Sequence, residues 1–420
     1  MSIINSDNLK SILSNFKTNV NNEICSFETT NFNATISEKY TKMKDIPYQF
    51  MDSQAVAVGS DIYLFGSADC PEYAYRYDTN TNTYTKLKNI PYREFRCGCT
   101  IYVNGNIYLL GSGSYNSTNK SYPYTKYHYR YNIASGTYKR MNDIPYDFFY
   151  GSAVAIGTDI YLLGSIYYDT TNKIRPYAQY NYKYDITTDT YTKATDIPYD
   201  FYLGSAVAIG TDIYLLGSSN NSYNKYNYKY DTTTNTYTQN RDIPYNFNCG
   251  SAVVIGTDIY LLGGNYYSDY NKYNYKYDAT TDTYTKNADI PYIFYLGSAV
   301  NVDNNIYIFG GYYGDADPIL AKYNYKYDIP YTGNCTIKLT NHSIYTSNNR
   351  SFINHKASII PLKDGIYYTE YNGNNIIKNT FSIDSNGNTK MYIKNGAILN
   401  GKKVPCKTEG WNTINLLDYM

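Results

Sequence analysis

GSAVAIGTDIYLLGSIYYDTTNKIRPYAQYNYKYDITTDTYTKATDIPY, residues 151–199, holds one complete structural unit. Its closing tetrapeptide recurs along the chain. DIPY or NIPY begins at Asp45, Asn89, Asp143, Asp196, Asp242 and Asp289, with a displaced copy at Asp328, at intervals of 39 to 54 residues. A near-fixed period of this length marks a repeat architecture. Within the unit, SAVAI (152–156) and IYLLG (160–164) are short, apolar and β-branched, as suits strands covered on both faces. YNYKY (180–184) alternates aromatic with polar, the period-2 pattern of a half-exposed strand, and YTKAT (191–195) is polar and Thr-rich, as an outermost strand would be. Turn chemistry separates them: Gly157-Thr158-Asp159, the polar run from Asp185 to Asp189 and, in a neighbouring unit, Asn104-Gly105. Four strands graded from apolar to polar are a propeller blade, with the first strand on the axis and the fourth in solvent.

The units resemble kelch repeats, in which a glycine pair ends the second strand and a Tyr precedes a Trp by a fixed spacing. Here the pair is Gly263-Gly264 and Gly310-Gly311, but Gly-Ser at Gly66, Gly111, Gly164 and Gly217. The spacing is kept with Tyr in place of Trp: Tyr77 and Tyr84, Tyr131 and Tyr138, Tyr184 and Tyr191, Tyr230 and Tyr237, Tyr277 and Tyr284. The resemblance covers roughly residues 36–331 and implies an all-β, six-bladed propeller of the galactose-oxidase-like kelch kind. Seven blades remain the alternative if the C-terminal region contributes another. Closure is legible from the ends. The sixth unit has SAVNV, IYIFGG and YNYKYD but lacks its Thr-Tyr-Thr strand, and the missing piece stands near the N-terminus as EKYTKMKDIPY, residues 38–48. The N-terminal strand is therefore expected to complete the last blade, which removes the open edges of an unclosed array.

Antiparallel blades put the turns after first and third strands on one face and the loops after second and fourth strands on the other. The first class is short and repetitive; the second holds the length variation, so it is the expected ligand face. Its loops carry Tyr115, Tyr122, Tyr124, Tyr167, Tyr168, Tyr223, Tyr266, Tyr267, Tyr270, Tyr312 and Tyr313. Rings that stack on apolar faces beside Asn, Asp and Ser that take hydroxyls suit a sugar or a peptide. The between-blade connections carry Phe50, Phe95, Phe148, Phe201, Phe247 and Phe294, read as interblade packing because they occur once per blade. Asp147 and Asp200, with Glu94, are carboxylates that neighbouring blades could bring together for acid–base work, against the reading of solvated loop acids.

Kelch propellers include copper oxidases with Tyr and His ligands and a sugar mutarotase. The copper reading fails on inventory: of the three histidines only His128 lies in the repeats, and it reads as a substituted tyrosine. Cys97 and Cys99 form a CxC at the blade position where Cys249 recurs; blades two and five are opposed, too far apart for a disulfide. Small-residue substitution is the expected role, and no cofactor, metal or catalytic residue is assigned. Seven irregularly spaced cysteines give no disulfide framework, though Cys335 and Cys406 could meet. Net charge is +1, which supplies no field for nucleic acid. Tyr fills 59 positions and charged residues 17%, a composition for half-buried strands and adhesive surfaces. No apolar run is long enough to span a membrane and the N-terminus lacks a secretory pattern, so cytoplasmic synthesis is expected. The heavy use of Asn, Ile, Lys and Tyr points to AT-rich codons.

Residues 7–24 place Leu9, Ile12, Leu13, Phe16 and Val20 on one helical stripe, a short helix that needs a docking surface, followed by a linker over 26–35. From about Thr332 a small β domain of roughly 90 residues is expected, near the size that folds alone. Its MYIKNGAILNGKKV stretch resembles strands of tail proteins from phages of low-GC Gram-positive bacteria. The expected organisation is thus 1–35 docking helix and linker, 36–331 propeller and 332–420 β domain. The expected function is non-enzymatic binding: the helix and C-terminal domain join a protein assembly, of other proteins or of further copies of the chain, and the loop face meets a glycan or protein receptor, as in a phage tail or virion component. The competing expectations are a sugar-modifying, mutarotase-like enzyme and a spacer without a ligand.

Overall fold

The computed structural model describes residues 38–329 apart from 68, 93–94, 114–124, 167–176, 219–224, 267–268, 314–318 and 321, the backbone alone at 177–178, 265–266, 269–270, 312–313 and 319–320, and the backbone of short strands outside that span. Contacts divide the chain into two compact units, Lys39–Asp328 and the combination of Met1–Glu38 with Ile329–Met420.

Lys39–Asp328 forms six four-stranded antiparallel sheets. Blade 3 is typical: Ser152–Ile156, Asp159–Ile166, Tyr177–Asp185 and Thr190–Lys193 pair in sequence order. The inner strands of neighbouring blades touch all the way round, that of blade 6 (Ser298–Val302) meeting that of blade 1 (Gln54–Val58). The ring is therefore shut. Blade 6 takes its outer strand from the N-terminal side, with Lys39 opposite Asp328, Tyr40 opposite Tyr327 and Lys42 opposite Tyr325. The expected closure is thus present, with six blades.

Burial follows the strand grading with one refinement. The second strand is the most buried: Ile160, Leu162 and Leu163 are fully enclosed. The first strand gives one edge to the axis and is covered less well, while the fourth is mostly exposed. In each blade the last Tyr of the third strand packs against the outer-strand Tyr, as in Tyr184–Tyr191 at 4.8 Å between ring centroids. Blade 6 repeats the contact across the closure, Tyr40 lying 4.6 Å from Tyr327. The outer Tyr hydroxyl also receives a side-chain amide from the preceding blade: Asn181 to Tyr237, Asn227 to Tyr284, Asn274 to Tyr40 and Asn324 to Tyr84, each at 2.9 Å. His128 occupies that Asn position in blade 2, its Nδ1 2.7 Å from the Tyr191 hydroxyl. It is a substituted asparagine, which corrects the expectation of a substituted tyrosine: period 2 in HYRYN puts His128 in register with the Asn of NYKYD. Burial pushes its pKa down to about 3.

The six Phe are fully buried. They explain the glycine that ends each second strand. At Gly164, φ is +64° and an added Cβ would sit 1.8 Å from the Phe201 carbonyl oxygen, so no other residue fits. The second position of the pair tolerates Ser because its hydroxyl finds a carbonyl: Ser165 donates to Asp147 O and Ser218 to Asp200 O, both at 2.6 Å.

The other unit is described as backbone strands. Thr30–Ile36, within a stretch expected to be largely linker, pairs along its whole length with Tyr331–Lys338. Its alternation of Phe32, Ala34 and Ile36 with Asn31, Asn33 and Thr35 is a strand pattern that the Asn-rich composition masks. Asn388–Ile393 pairs with Gly410–Asn415, and Ile398–Leu399 with Lys402–Lys403. The proposed docking-helix residues Leu9, Ile12, Leu13, Phe16 and Val20 lie outside the described residues, as does Cys406. No helix among the described residues is long and apolar enough to cross a membrane.

Candidate functional site at the axial mouth

The antiparallel pairing puts the short turns on one face. There Asp185 accepts the backbone N–H groups of Thr187 and Thr188, Asp231 and Asp278 repeat the turn, and Tyr184 donates to Asp189 at 2.8 Å. These groups are consumed by the fold. The opposite face carries the long loops and the connections from each Phe into the next inner strand.

Two residues beyond each Phe stand Asp52, Cys97, Tyr150, Leu203, Cys249 and Leu296. All six hold φ between 52° and 56° without being glycine, a conformation that costs a bulky L-residue about 1–2 kcal/mol. What holds them there is a ring of backbone hydrogen bonds. Cys97 N–H donates to Asp52 O at 2.8 Å, Tyr150 to Cys97 at 2.9 Å, Leu203 to Tyr150 at 2.8 Å, Cys249 to Leu203 at 2.7 Å, Leu296 to Cys249 at 2.9 Å, and Asp52 to Leu296 at 3.0 Å. The chain of bonds returns to its start, a hexagon around the axis on the long-loop face. One residue plus one hydrogen bond spans roughly 5–6 Å, so opposite members lie about 11 Å apart. Cys97 and Cys249 are accordingly free thiols, as their opposed blades led us to expect.

Just below, a second ring uses side chains. Ser152, Ser205, Ser251 and Ser298 each accept the backbone N–H of an Ala in the next blade, at 2.9 to 3.1 Å. Cys99 stands at the serine position of blade 2 and is bonded to the Ala153 backbone in the same way. The expected role of Cys99 as a small-residue substitute is therefore correct. Burial pushes its thiol up to about 12, and an inert, protonated sulfur results.

Electrostatically the mouth is uneven. The Asp52 carboxyl lies near the side chains of Cys97, Tyr150 and Arg96. Burial raises its pKa, while Arg96 and the nearby Cys97 and Tyr150 side chains oppose the rise. Its Oδ1 is enclosed and has no hydrogen-bond partner, although Asp52 as a whole keeps some exposure. Burial, reinforced by the Asp52 charge, holds the Cys97 thiol well above its usual range. Arg96 is anchored by its Nε, which donates to Gly113 O at 2.9 Å. Tyr150, Leu203 and Leu296 are half-buried.

Of the residues singled out in the sequence, Asp147 and Asp200 lie on this face but are each engaged within their own blade. Asp147 accepts the Thr125 hydroxyl at 2.6 Å, and Asp200 accepts Gln179 Nε2 at 3.0 Å. Tyr266 and Tyr270 belong to a short ribbon, Asn265–Tyr266 with Asp269–Tyr270, and Tyr312 and Tyr313 to another with Ile319–Leu320. Tyr115, Tyr122, Tyr124, Tyr167, Tyr168, Tyr223, Tyr267 and Glu94 lie outside the described residues. Sequence reasoning missed Asp52, Arg96, Tyr150, Leu203 and Leu296. The signal was present in the alignment of Cys97 with Cys249: it marks a column two residues after the Phe in which every blade differs from its neighbours.

No family model matches the chain, and no curated protein matches it. Among solved structures, one described as "Structure of YjhT" is similar over 74% of this chain and 99% of that one, with a TM-score of 0.57 and 13% identity. At that identity the likeness shows the fold: the chain is a six-bladed β-propeller, on which the axial mouth is the candidate site.

Proposed function

We propose that this chain is a binding protein whose ligand, a glycan end or a protein loop, is received at the axial mouth and flanked by the Tyr-bearing long loops. One observation carries the reading. Six backbones of identical conformation present Asp, Cys, Tyr, Leu, Cys and Leu, whereas the buried Phe two residues earlier and the buried Ile and Tyr of the DIPY motif are the same in all six blades, and the second-strand core positions change only among Leu, Ile and Phe. Side chains that vary on an invariant frame serve something other than the frame. The N-terminal segment and the C-terminal strands then attach the propeller to a larger assembly, such as a phage tail, in keeping with the tail-like MYIKNGAILNGKKV stretch. Glycan-array binding of the full chain, repeated with Leu203→Gly/Leu296→Gly, tests the reading: signal that falls at least tenfold supports it, and unchanged signal overturns it.

A second reading, chemical modification of a sugar, draws on the raised pKa of Asp52 beside Tyr150, not on Asp147 and Asp200. Turnover of a bound sugar that is lost in Asp52→Asn would favour it over binding alone.

A further inference from the structure

We infer that the ring has one built-in weak seam, between blade 1 (residues 54–86) and blade 2 (residues 99–140), and that it parts there, not at its closure strand, widening the axial mouth between Asp52 and Cys97. The inference goes beyond the proposed function and is independent of what the mouth receives.

Three side-chain hydrogen bonds recur where one blade meets the next. The seam between blades 3 and 4 has the full set. Ser152 Oγ accepts the Ala206 N–H at 2.9 Å, Asn181 Nδ2 donates to the Tyr237 hydroxyl at 2.9 Å, and Asn235 Oδ1 accepts the Thr195 N–H at 3.1 Å. Ser205, Asn227 and Asp282 repeat it between blades 4 and 5. Ser298, Asn324 and Asn82 repeat it between blades 6 and 1. Between blades 2 and 3 the set survives substitution: His128 meets Tyr191, Asp189 accepts from Asn142, and Cys99 Sγ donates to Gly151 O at 3.2 Å. Between blades 5 and 6 two members remain, and Asn301 Nδ2 adds a bond to Val254 O at 3.3 Å.

Between blades 1 and 2 all three are missing. Gln54 stands at the serine position and makes no hydrogen bond to the Thr100 N–H. Ala74 stands at the asparagine position opposite Phe65, as Asn181 stands opposite Leu163. Gly136 stands where the other turns have Asn or Asp, so no side chain reaches the Lys88 backbone. On the blade 2 side Thr100 is buried and its Oγ1 has no partner. The seam keeps the packing of Phe95 on Gly66, the bond from Cys97 N–H to Asp52 O, and the Tyr138 hydroxyl on Lys88 O. It is shut, but by fewer bonds than its neighbours. The closure strand, by contrast, pairs with blade 6 along its length and adds Met43 N–H to Asn324 O and Ile46 N–H to Lys322 O, both at 2.8 Å. One hydrogen bond changes an opening equilibrium by roughly 2- to 12-fold, so three absent together favour opening by on the order of a hundredfold.

Each hexagon N–H crosses one seam, so its exchange with deuterium reports the opening of that seam. The test is residue-resolved amide exchange on the full chain, with rates corrected for intrinsic sequence effects. Cys97 is expected to exchange about tenfold or more faster than Tyr150, Leu203, Cys249 and Leu296, and faster than Met43 and Ile46 at the closure. Gln54→Ser/Gly136→Asn restores two of the bonds. Position 136 has φ +64°, near the +59° of Asn235, and an added Cβ meets nothing closer than the Tyr131 hydroxyl at 3.8 Å. This variant should slow Cys97 about fivefold or more and leave Leu203 unchanged. Ser152→Ala/Asn235→Gly moves the defect to the seam between blades 3 and 4 and should speed Leu203 by a similar factor; a thermal melt checks that each variant folds. A Cys97 rate less than about tenfold above the other hexagon amides, or fastest exchange at Met43 and Ile46, would overturn the weak seam. A Cys97 rate unmoved by the restoring variant would also overturn it, because that amide would then fray alone. Leu203 exchange unmoved in folded Ser152→Ala/Asn235→Gly would show that these bonds do not hold the seams, and would overturn it equally.

Discussion

Phe201 and Leu203 are two residues apart, and they obey different rules. At the Phe position all six blades have the same residue, fully buried, with its carbonyl pressed on a glycine of the preceding blade. At the Leu position all six have the same backbone and a bond to the next blade, but four different residue types. The first ring is specified by packing, which rejects changes of a single methylene. The second is held by a ring of backbone hydrogen bonds that recurs whichever side chain is present. A repeat fold can therefore vary its mouth while the layer of Phe and glycine beneath it, the shelf, stays fixed.

The sharpest way to break the contrast is at the shelf. Gly164→Ala is predicted to prevent folding, since its Cβ has nowhere to go; loss of soluble, cooperatively melting protein is the check. Phe201→Ala should cost about 3–5 kcal/mol in urea unfolding. Tyr40→Ala comes next, at about 2–4 kcal/mol, because it removes the ring stack on Tyr327 and leaves Asn274 without its hydroxyl at the closure. Its loss should match that of Tyr237→Ala in blade 4; a much smaller loss would mean that the closure contributes little to stability.

His128 gives a pH-dependent version of the same comparison. It is neutral when folded, with a pKa of about 3 against 6.5 for the free side chain. Its contribution is complete above pH 6.5 and is lost as pH falls toward 3, by up to about 1.4 kcal/mol per unit, because the unfolded chain takes up a proton that the folded chain refuses. His128→Asn restores the residue found in blades 3 to 6 and should flatten this slope while leaving stability at neutral pH within about 1 kcal/mol. Equal slopes for wild type and variant between pH 6.5 and 4, measured by urea unfolding, would show that His128 titrates normally. The smallest effect belongs to the mouth: Leu203→Gly trades a strained φ against glycine's extra freedom and should change stability by no more than about 1 kcal/mol.

The fold was readable because strand period, turn chemistry and the DIPY punctuation all repeat, and because the missing outer strand of the sixth unit could be found at residues 38–44. The Phe shelf was readable for the same reason. The mouth was not. Its defining property is a backbone conformation, and positive φ at Leu203, Leu296 or Tyr150 has no residue signature, unlike the glycine that announces it at Gly164. Its side chains differ from blade to blade, so repeat analysis passes over them as noise. His128 was misread because the Tyr content of its strand obscured which of two alternating columns it filled. Asp147 and Asp200 drew attention as carboxylates, but their Thr125 and Gln179 partners sit far enough away in sequence to escape notice.

The most direct single measurement is the urea-unfolding free energy of Asp52→Gly/Leu203→Gly/Leu296→Gly, with Phe201→Ala alongside. If the mouth side chains are held for a ligand and not for the fold, the triple variant stays within about 2 kcal/mol of wild type while Phe201→Ala loses about 3–5. A triple-variant loss equal to or above that of Phe201→Ala would contradict it, placing Asp52, Leu203 and Leu296 in the packing of the ring.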